Sequence, residues 1–322
     1  MRTAKSSMTS RIIKKLRRII PLAGQSGRKG DASLGTQNDA TGTSKGQIAC
    51  APDGHFYSPI PDHDEVRRNE EKIFRVPNTL SAIELNVDEQ LLTLNSLATF
   101  RDEMPFQTEK TEGLRYCLKN PMFGFADGIS LYGLIRHLKP KRIIEIGAGY
   151  SSCVMLDTNE RFFENRISCT FIEPNPASFL SLIKPADLDR IQLVSTPLQE
   201  VDPGTFRNLS ANDILFIDSS HVSKAGSDVN YLLFEVLPEL QSGVYVHFHD
   251  IFYPFEYPQH WICDLGISWN EAYLLRAFLQ YNQSFRIALF INYLSRFHSD
   301  QLQAVMPQSA GGAGGSLWIR KV

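Results

Sequence analysis

From residue 113 onward the chain alternates short, continuous apolar runs with stretches of helical pattern, and this alternation leaves few folds open. The runs are Arg142–Ile146, Cys169–Ile172, Ile191–Val194, Ile214–Ile217 and Val244–Phe248. A strand that is apolar on both sides must be covered on both sides. Helices between such strands supply the cover, which predicts an α/β fold with a parallel sheet. Phe125–Leu138 reads as a helix ahead of the first strand, stopped by Pro140. A helix expected over Glu271–Gln280 leads into two more β-like runs, Phe285–Tyr293 and Ser316–Lys321. Between these two runs, residues 311–315 (GGAGG) are too flexible for helix or strand and read as a loop. Five alternating strands, a helix and then a hairpin-like pair is not the order of a dehydrogenase-type sheet, which continues its alternation.

Three segments follow from this pattern: 1–50, 51–112 and 113–322. Residues 21–50 hold almost no large apolar side chains and read as a flexible linker, because they cannot bury enough surface to offset their ordering entropy. Within the leader, residues 11–20 place Ile12, Ile13, Leu16, Ile19 and Ile20 at helical spacing, with Lys14, Lys15, Arg17 and Arg18 opposite. A basic amphipathic helix of this kind suits weak contact with an anionic membrane surface, while the preferred reading is a short leader. Residues 63–76 look like a charged helix. Residues 86–104 look like another, whose apolar face is Leu91, Leu92, Leu94, Leu97 and Phe100. Together 51–112 form an expected helical N-terminal extension or cap.

The 322 residues are 43% hydrophobic, enough for one large domain with additions, and the net charge of −2 offers no argument for a nucleic-acid partner. The five cysteines are scattered with no Cys-x-x-Cys pair, so neither a zinc knuckle nor a disulfide framework is indicated, and a reducing cytoplasm is the expected compartment. No stretch reaches the roughly 20 apolar residues that span a bilayer.

The first strand ends in Glu145-Ile-Gly-Ala-Gly-Tyr-Ser-Ser152. Glycines at 147 and 149 permit a sharp turn and close approach of backbone to ligand. A helix expected from about Ser151 would aim its free N–H groups at the same place. Ser152 stands where a dinucleotide fingerprint has its third glycine, and Glu145 precedes the first glycine by two. That acidic residue suits a ligand with an amino group and a sulfonium rather than phosphates. The second strand ends in Phe171-Ile-Glu173, whose carboxylate can accept hydrogen bonds from two ribose hydroxyls; the bland alternative is a surface charge before Pro174.

These segments, with Asp213-Ile-Leu-Phe-Ile-Asp-Ser-Ser-His221 and Gly243-Val-Tyr-Val-His-Phe-His-Asp250, resemble the class I S-adenosylmethionine (SAM)-dependent methyltransferases. The similarity is greatest to a subgroup with a His-Asp pair after strand five, often met beside glycan and natural-product biosynthesis. The resemblance spans about 113–322. It implies a Rossmann-like, mostly parallel seven-stranded sheet whose last strand is antiparallel. It implies SAM held at its methionine end by Glu145, Gly147, Ala148, Gly149 and Ser152 and at its ribose by Glu173, with Asp218 also at the cofactor. Pro197–Gln199 would lie near the adenine, and Phe125–Asp127 would approach the cofactor. The implied reaction is O-methylation of a hydroxyl on a small acceptor, sugar-like or natural-product-like.

In an open α/β sheet the ligand lies outside the carboxyl ends of the strands, so Asp218, His221, His249 and Asp250 should meet on one rim. Two mechanisms remain open. In one, a divalent metal, magnesium or manganese, is held by Asp218, His249 and Asp250. The resemblance places a catalytic lysine where His221 stands and an acidic ligand where His249 stands. In the other, no metal takes part: His221 or His249 is the general base and a carboxylate such as Asp250 fixes its tautomer. His247 is expected to be a packed core histidine. The aromatic run Phe252–Trp261 reads equally as a wall over the site or as a satellite hydrophobic cluster. A nucleotide-dependent oxidoreductase and a non-catalytic SAM-binding scaffold are the competing classes.

Overall fold

The computed structural model describes residues 51–307, 309 and 314–322. The segment 1–50, with its amphipathic stretch 11–20, and the glycine-loop residues 311–313 lie outside the described residues. Seven strands form one sheet in the order β3-β2-β1-β4-β5-β7-β6. They are β1 (Arg142–Ile146), β2 (Ser168–Ile172), β3 (Ile191–Val194), β4 (Ile214–Ile217), β5 (Tyr245–Phe248), β6 (Phe285–Phe290) and β7 (Leu317–Lys321). β7 runs antiparallel to both of its neighbours, β5 and β6, and the remaining pairings are parallel. Insertion of a reversed β7 between β5 and β6 departs from the dinucleotide-binding order and weakens the oxidoreductase alternative. The expected Rossmann-like, mostly parallel sheet is therefore the observed one.

The central strands are apolar because both faces are covered. Ile214, Leu215, Phe216 and Ile217 are all buried, as are Ile143, Ile144 and Ile146 on β1. Helices α4 (Phe125–Leu138) and α5 (Tyr150–Phe163) pack against each other beside the sheet. Ahead of α4 a buried ion network ties the chain down. Arg115 pairs with Asp157 at 2.7 Å, with Glu160 at 2.7 Å and, through two nitrogens, with Asp187. Removing the guanidinium leaves Asp157 and Asp187 buried without a counter-charge. Arg115→Met is expected to lower unfolding free energy by about 3–5 kcal/mol, read as a reduced urea midpoint with an unchanged slope.

The described residues pack into two compact units. One compact unit comprises 70–261 and 269–322; the other groups 51–69 with 262–268. In the smaller unit, helix α1 (His63–Arg68) is capped by Asp62, whose carboxylate accepts from Asp64 N–H (2.8 Å) and Glu65 N–H (3.1 Å). The guanidinium of Arg67 donates to the carbonyl of Cys263 at 2.6 Å. In the larger unit, α3 (Val87–Leu97) lies along β6. Its buried Gln90 donates to Leu85 O (2.6 Å) and accepts from Phe290 N–H (2.8 Å), joining residues 200 apart in sequence.

Three boundaries move by more than one residue from their expected places. The charged helix expected over 63–76 is two pieces, α1 and α2 (Glu70–Ile73), interrupted where Asn69 caps α1 by donating to the carbonyls of Glu65 and Val66. The helix expected over 86–104 ends its α form at Leu97 and continues as a tighter turn over Ala98–Glu103. The strand expected to reach Tyr293 ends at Phe290, and Ile291–Phe297 is helix α7. A continuous apolar run is equally suited to a buried strand and a buried helix, so its pattern carries no mark of the change.

Candidate active site

The parallel ladder ends in four loops on one edge. Gly147 N–H donates to Ile172 O (3.0 Å), Glu173 N–H to Val194 O (3.0 Å), Asp218 N–H to Ile146 O (2.9 Å) and His249 N–H to Ile217 O (3.0 Å). These bonds set the glycine turn, the acidic tip of β2 and the two His/Asp loops side by side at the carboxyl ends of the strands. Gly147 has φ +83°, a left-handed conformation that favours glycine. A Cβ there would lie 1.8 Å from the carbonyl oxygen of Asp218, whereas a Cβ on Gly149 would meet no protein atom within 4 Å. The turn is thus tight on its protein side and open on its other side, with the N-terminus of the 14-residue α5 facing the opening. Ala148 and Gly149 are partly exposed along the same opening.

Glu173 is partly exposed at the tip of β2, and one of its oxygens accepts from Asn175 N–H at 2.8 Å. The other oxygen is free for a hydroxyl. Gln199, expected near the adenine, donates its amide to Gly226 O at 2.6 Å. Two residues expected to contact the cofactor are placed differently. Glu145 and Ser152 are fully buried behind the turn. Ser151 and Ser152 donate their hydroxyls to the two carboxylate oxygens of Glu145, and Ser152 also accepts from Gly149 N–H at 3.0 Å. Burial pushes the Glu145 carboxyl up to about 8, against the pull of those two hydroxyls.

Asp218, His221, His249 and Asp250 do meet on the rim. His221 Nε2 stands 3.4 Å from Asp218 Oδ1 and 3.8 Å from Asp250 Oδ2; His249 Nδ1 stands 3.5 Å from Asp218 Oδ1 and 3.6 Å from Asp250 Oδ1. The carboxylates are in front: Asp218 is 31% exposed and Asp250 18%, against 5% for His221 and 7% for His249. Each histidine is backed by another buried carboxylate. His221 Nδ1 is 2.8 Å from Glu271 Oε2, and His249 Nε2 is 3.7 Å from Asp127 Oδ2, an ion pair rather than a hydrogen bond. Burial alone would lower the His221 pKa, but Asp218, Glu271 and Asp250 outweigh it and push it up to about 10. In the same way Asp250, Asp218 and Asp127 outweigh burial and hold His249 well above its usual range. The two histidines in turn hold Asp218 well below the usual carboxylate range despite its desolvation.

This arrangement revises two expectations. The carboxylates around His221 and His249 favour the charged form of both imidazoles, the form that donates rather than accepts a proton. The metal set Asp218, His249 and Asp250 is not supported. Among the described residues no group of three His, Cys, Asp or Glu side chains is placed to hold a metal ion.

His247 sits in the core, as its expected role required. It stacks on Phe216 at 3.8 Å, its Nε2 is 3.0 Å from Ser316 Oγ, and burial keeps its pKa well below the usual value. The aromatic run divides between both readings. Tyr253, Phe255 and Tyr257 are buried, with Tyr253 packed on Phe290, Tyr293 and Phe297. Phe252 and Trp261 remain partly exposed, edge to face at 5.3 Å. Trp261 meets Trp269 at right angles, and Trp269 lies 4.4 Å from the His221 ring. These rings form a wall that ends at the carboxylates.

Glu271 and Trp269 are site residues that sequence reasoning did not assign. Glu271 begins α6 (Glu271–Leu279) and in sequence looks like any acidic residue in a first turn. His221 O accepts the N–H groups of both Asn270 and Glu271 at 3.1 Å, which sews the start of α6 to the loop after β4. Asp127, placed near the cofactor by resemblance, instead faces His249 and accepts from Ser316 Oγ at 2.6 Å.

Residues 144–251 match the family model for a methyltransferase domain. The chain is 38% identical over 167 residues to an uncharacterized protein of Archaeoglobus fulgidus, an alignment covering 51% of this chain and 75% of that one. It also aligns with the SAH-bound methyltransferase of Podospora anserina (18% identity, 80% of this chain and 94% of that one, TM-score 0.39). A further alignment is with the O-methyltransferase TomG of Streptomyces achromogenes in complex with SAM (14% identity, 81% and 96%, TM-score 0.40). At TM-scores below 0.5 neither alignment bears on this chain's chemistry. The extent of the match to the archaeal protein makes the two chains members of one family, and residues 144–251 of this chain match the methyltransferase-domain model.

Proposed function

We propose that the protein transfers the methyl group of SAM to a hydroxyl of a small, ring-bearing acceptor. The observation that carries this reading is the Asp218/Asp250 pair, partly exposed on the rim beside the glycine turn and backed by His221 and His249. SAM supplies an electrophilic methyl on a sulfonium. The chain's residues bind it, orient the acceptor and take the proton. The open side of Gly149 and the free oxygen of Glu173 fit the methionine and ribose ends of such a ligand. An acceptor hydroxyl bound to Asp250 passes its proton to that carboxylate as its oxygen forms a bond to the methyl carbon. The carbon–sulfur bond breaks with its electron pair going to sulfur, leaving a neutral thioether. His221 and His249 hold the carboxylates in place and keep Asp218 ionised, so a negative charge faces the sulfonium. The wall of Phe252, Trp261 and Trp269 suits the face of a sugar or planar ring. Among the described residues no helix is long and apolar enough to cross a membrane, and Cys117, Cys153, Cys169 and Cys263 are free thiols, which supports a reducing compartment such as the cytoplasm.

Titration calorimetry with S-adenosylhomocysteine tests the cofactor assignment. Glu173→Ala is expected to weaken binding at least about tenfold, or about 1.4 kcal/mol, through loss of charged hydrogen bonds to ribose. No binding by folded wild-type protein would remove the methyltransferase reading. Binding without turnover on any hydroxyl acceptor would favour the scaffold alternative.

A further inference from the structure

We propose that Glu145, Ser151 and Ser152 are positioning residues, a buried carboxylate–serine clamp that stays out of contact with the cofactor and holds the turn Gly147–Gly149 in its binding shape. This inference rests on the SAM reading above. All three side chains are buried to within 2% of complete exclusion from solvent, so none lines the cleft directly. Their hydrogen bonds have a direction. Gly149 N–H donates to Ser152 Oγ at 3.0 Å, and Ser152 and Ser151 each donate their single hydroxyl hydrogen to a separate oxygen of Glu145. Strand β1, the turn and the first turn of α5 are thereby joined through one carboxylate. In a dinucleotide fold a third glycine lets helix and strand pack closely at this place. Here Ser152 occupies that position and replaces bare proximity with a bond to the strand.

The clamp has a protonation state. Two donated hydroxyls satisfy a carboxylate; a carboxylic acid must itself donate, which turns one serine away and leaves its hydrogen buried without an acceptor. The ionisable groups that act on Glu145 are Asp218 at the tip of β4 and Glu173 at the tip of β2, with Cys169 on β2 and Cys153 on α5 also feeling its charge, and none of these four is a cation. Burial, reinforced by Asp218 and Glu173, pushes the acid up to about 8. The clamp therefore closes fully only as pH rises through that value. A ligand that needs the closed turn displaces the proton, so its affinity rises with pH until the free protein is itself ionised.

Calorimetry with S-adenosylhomocysteine between pH 6.5 and 9.5 tests this in wild type, Glu145→Gln, Ser151→Ala and Ser152→Ala. The expected result is a wild-type affinity that rises about tenfold relative to Glu145→Gln across that range, a comparison in which titration of the ligand's own groups cancels. Ser152→Ala should weaken binding more than Ser151→Ala, because only Ser152 reaches Gly149. Parallel pH profiles for wild type and Glu145→Gln would overturn the clamp, as would wild-type affinity in Ser152→Ala. If Glu145→Gln does not fold, the serine pair still decides the matter. Absence of binding by wild type at every pH would overturn the cofactor reading and the clamp with it, whereas intact binding with parallel profiles would overturn the clamp alone.

Discussion

Gly147→Ala is expected to abolish detectable S-adenosylhomocysteine binding and to lower stability by about 3 kcal/mol or more. The residue has φ +83°, and the added Cβ would sit 1.8 Å from the Asp218 carbonyl oxygen and 2.8 Å from its carbon. Neither side can yield freely. Gly147 N–H is bonded to Ile172 O and Asp218 N–H to Ile146 O, so relief requires distorting the ends of β1 and β4 together. Urea unfolding reads the stability loss and calorimetry the binding loss. Gly149→Ala is the informative contrast. Its Cβ meets no protein atom within 4 Å, so stability should hold within about 0.5 kcal/mol while binding falls, because the methyl projects into the ligand's space. Unchanged affinity in Gly149→Ala would show that the ligand does not lie against this turn.

The second large effect is expected at Asp250. Asp250→Asn keeps the size of the side chain and suits the backbone, since asparagine tolerates the left-handed conformation at φ +57°. It removes the carboxylate that faces the acceptor. Methyl transfer from labelled SAM should fall by about 10²–10⁴-fold, the usual contribution of a positioned base, with S-adenosylhomocysteine affinity changed by no more than about twofold. Full activity in Asp250→Asn would return the base role to a histidine and mean that His221 or His249 is neutral at the moment of reaction. The surroundings argue otherwise, because four carboxylates from four segments of the chain face these two rings.

Much of the framework was legible because it is local. Arg142–Ile146, Ile191–Val194 and Ile214–Ile217 have as strands the limits their apolar runs predict, and α4 spans Phe125–Leu138 as predicted. Burial on both faces marks β1 and β4, and a proline after the last turn marks α4; β3, at the edge of the sheet, is only partly buried. The meeting of Asp218 with His249 and Asp250 was legible for a related reason: parallel strands in register present their carboxyl ends on one edge. The end of β6 was not legible, because the apolar run Ile287–Ile291 passes across it unbroken and the helical turn at Ile291 answers to Ser316 O and Tyr253 N–H, both far along the chain.

The sequence by itself determined that a doubly covered, mostly parallel sheet would form, that a glycine turn would follow its first strand, and that acids and histidines would gather at one rim. These consequences follow from periodicity, backbone freedom and strand direction, all of which act over a few residues. Tertiary structure alone decided what the gathered groups are. Glu271 reaches His221 across 50 residues and Asp127 reaches Ser316 across 189, and these distant carboxylates favour the charged form of the histidines they face. Glu145, which reads as a ligand from its place in the motif, is buried because Ser151 and Ser152 on α5 close over it. A side chain's charge depends on its distance from other charges and from water, and in a folded chain both are set by residues that sequence spacing does not bring together.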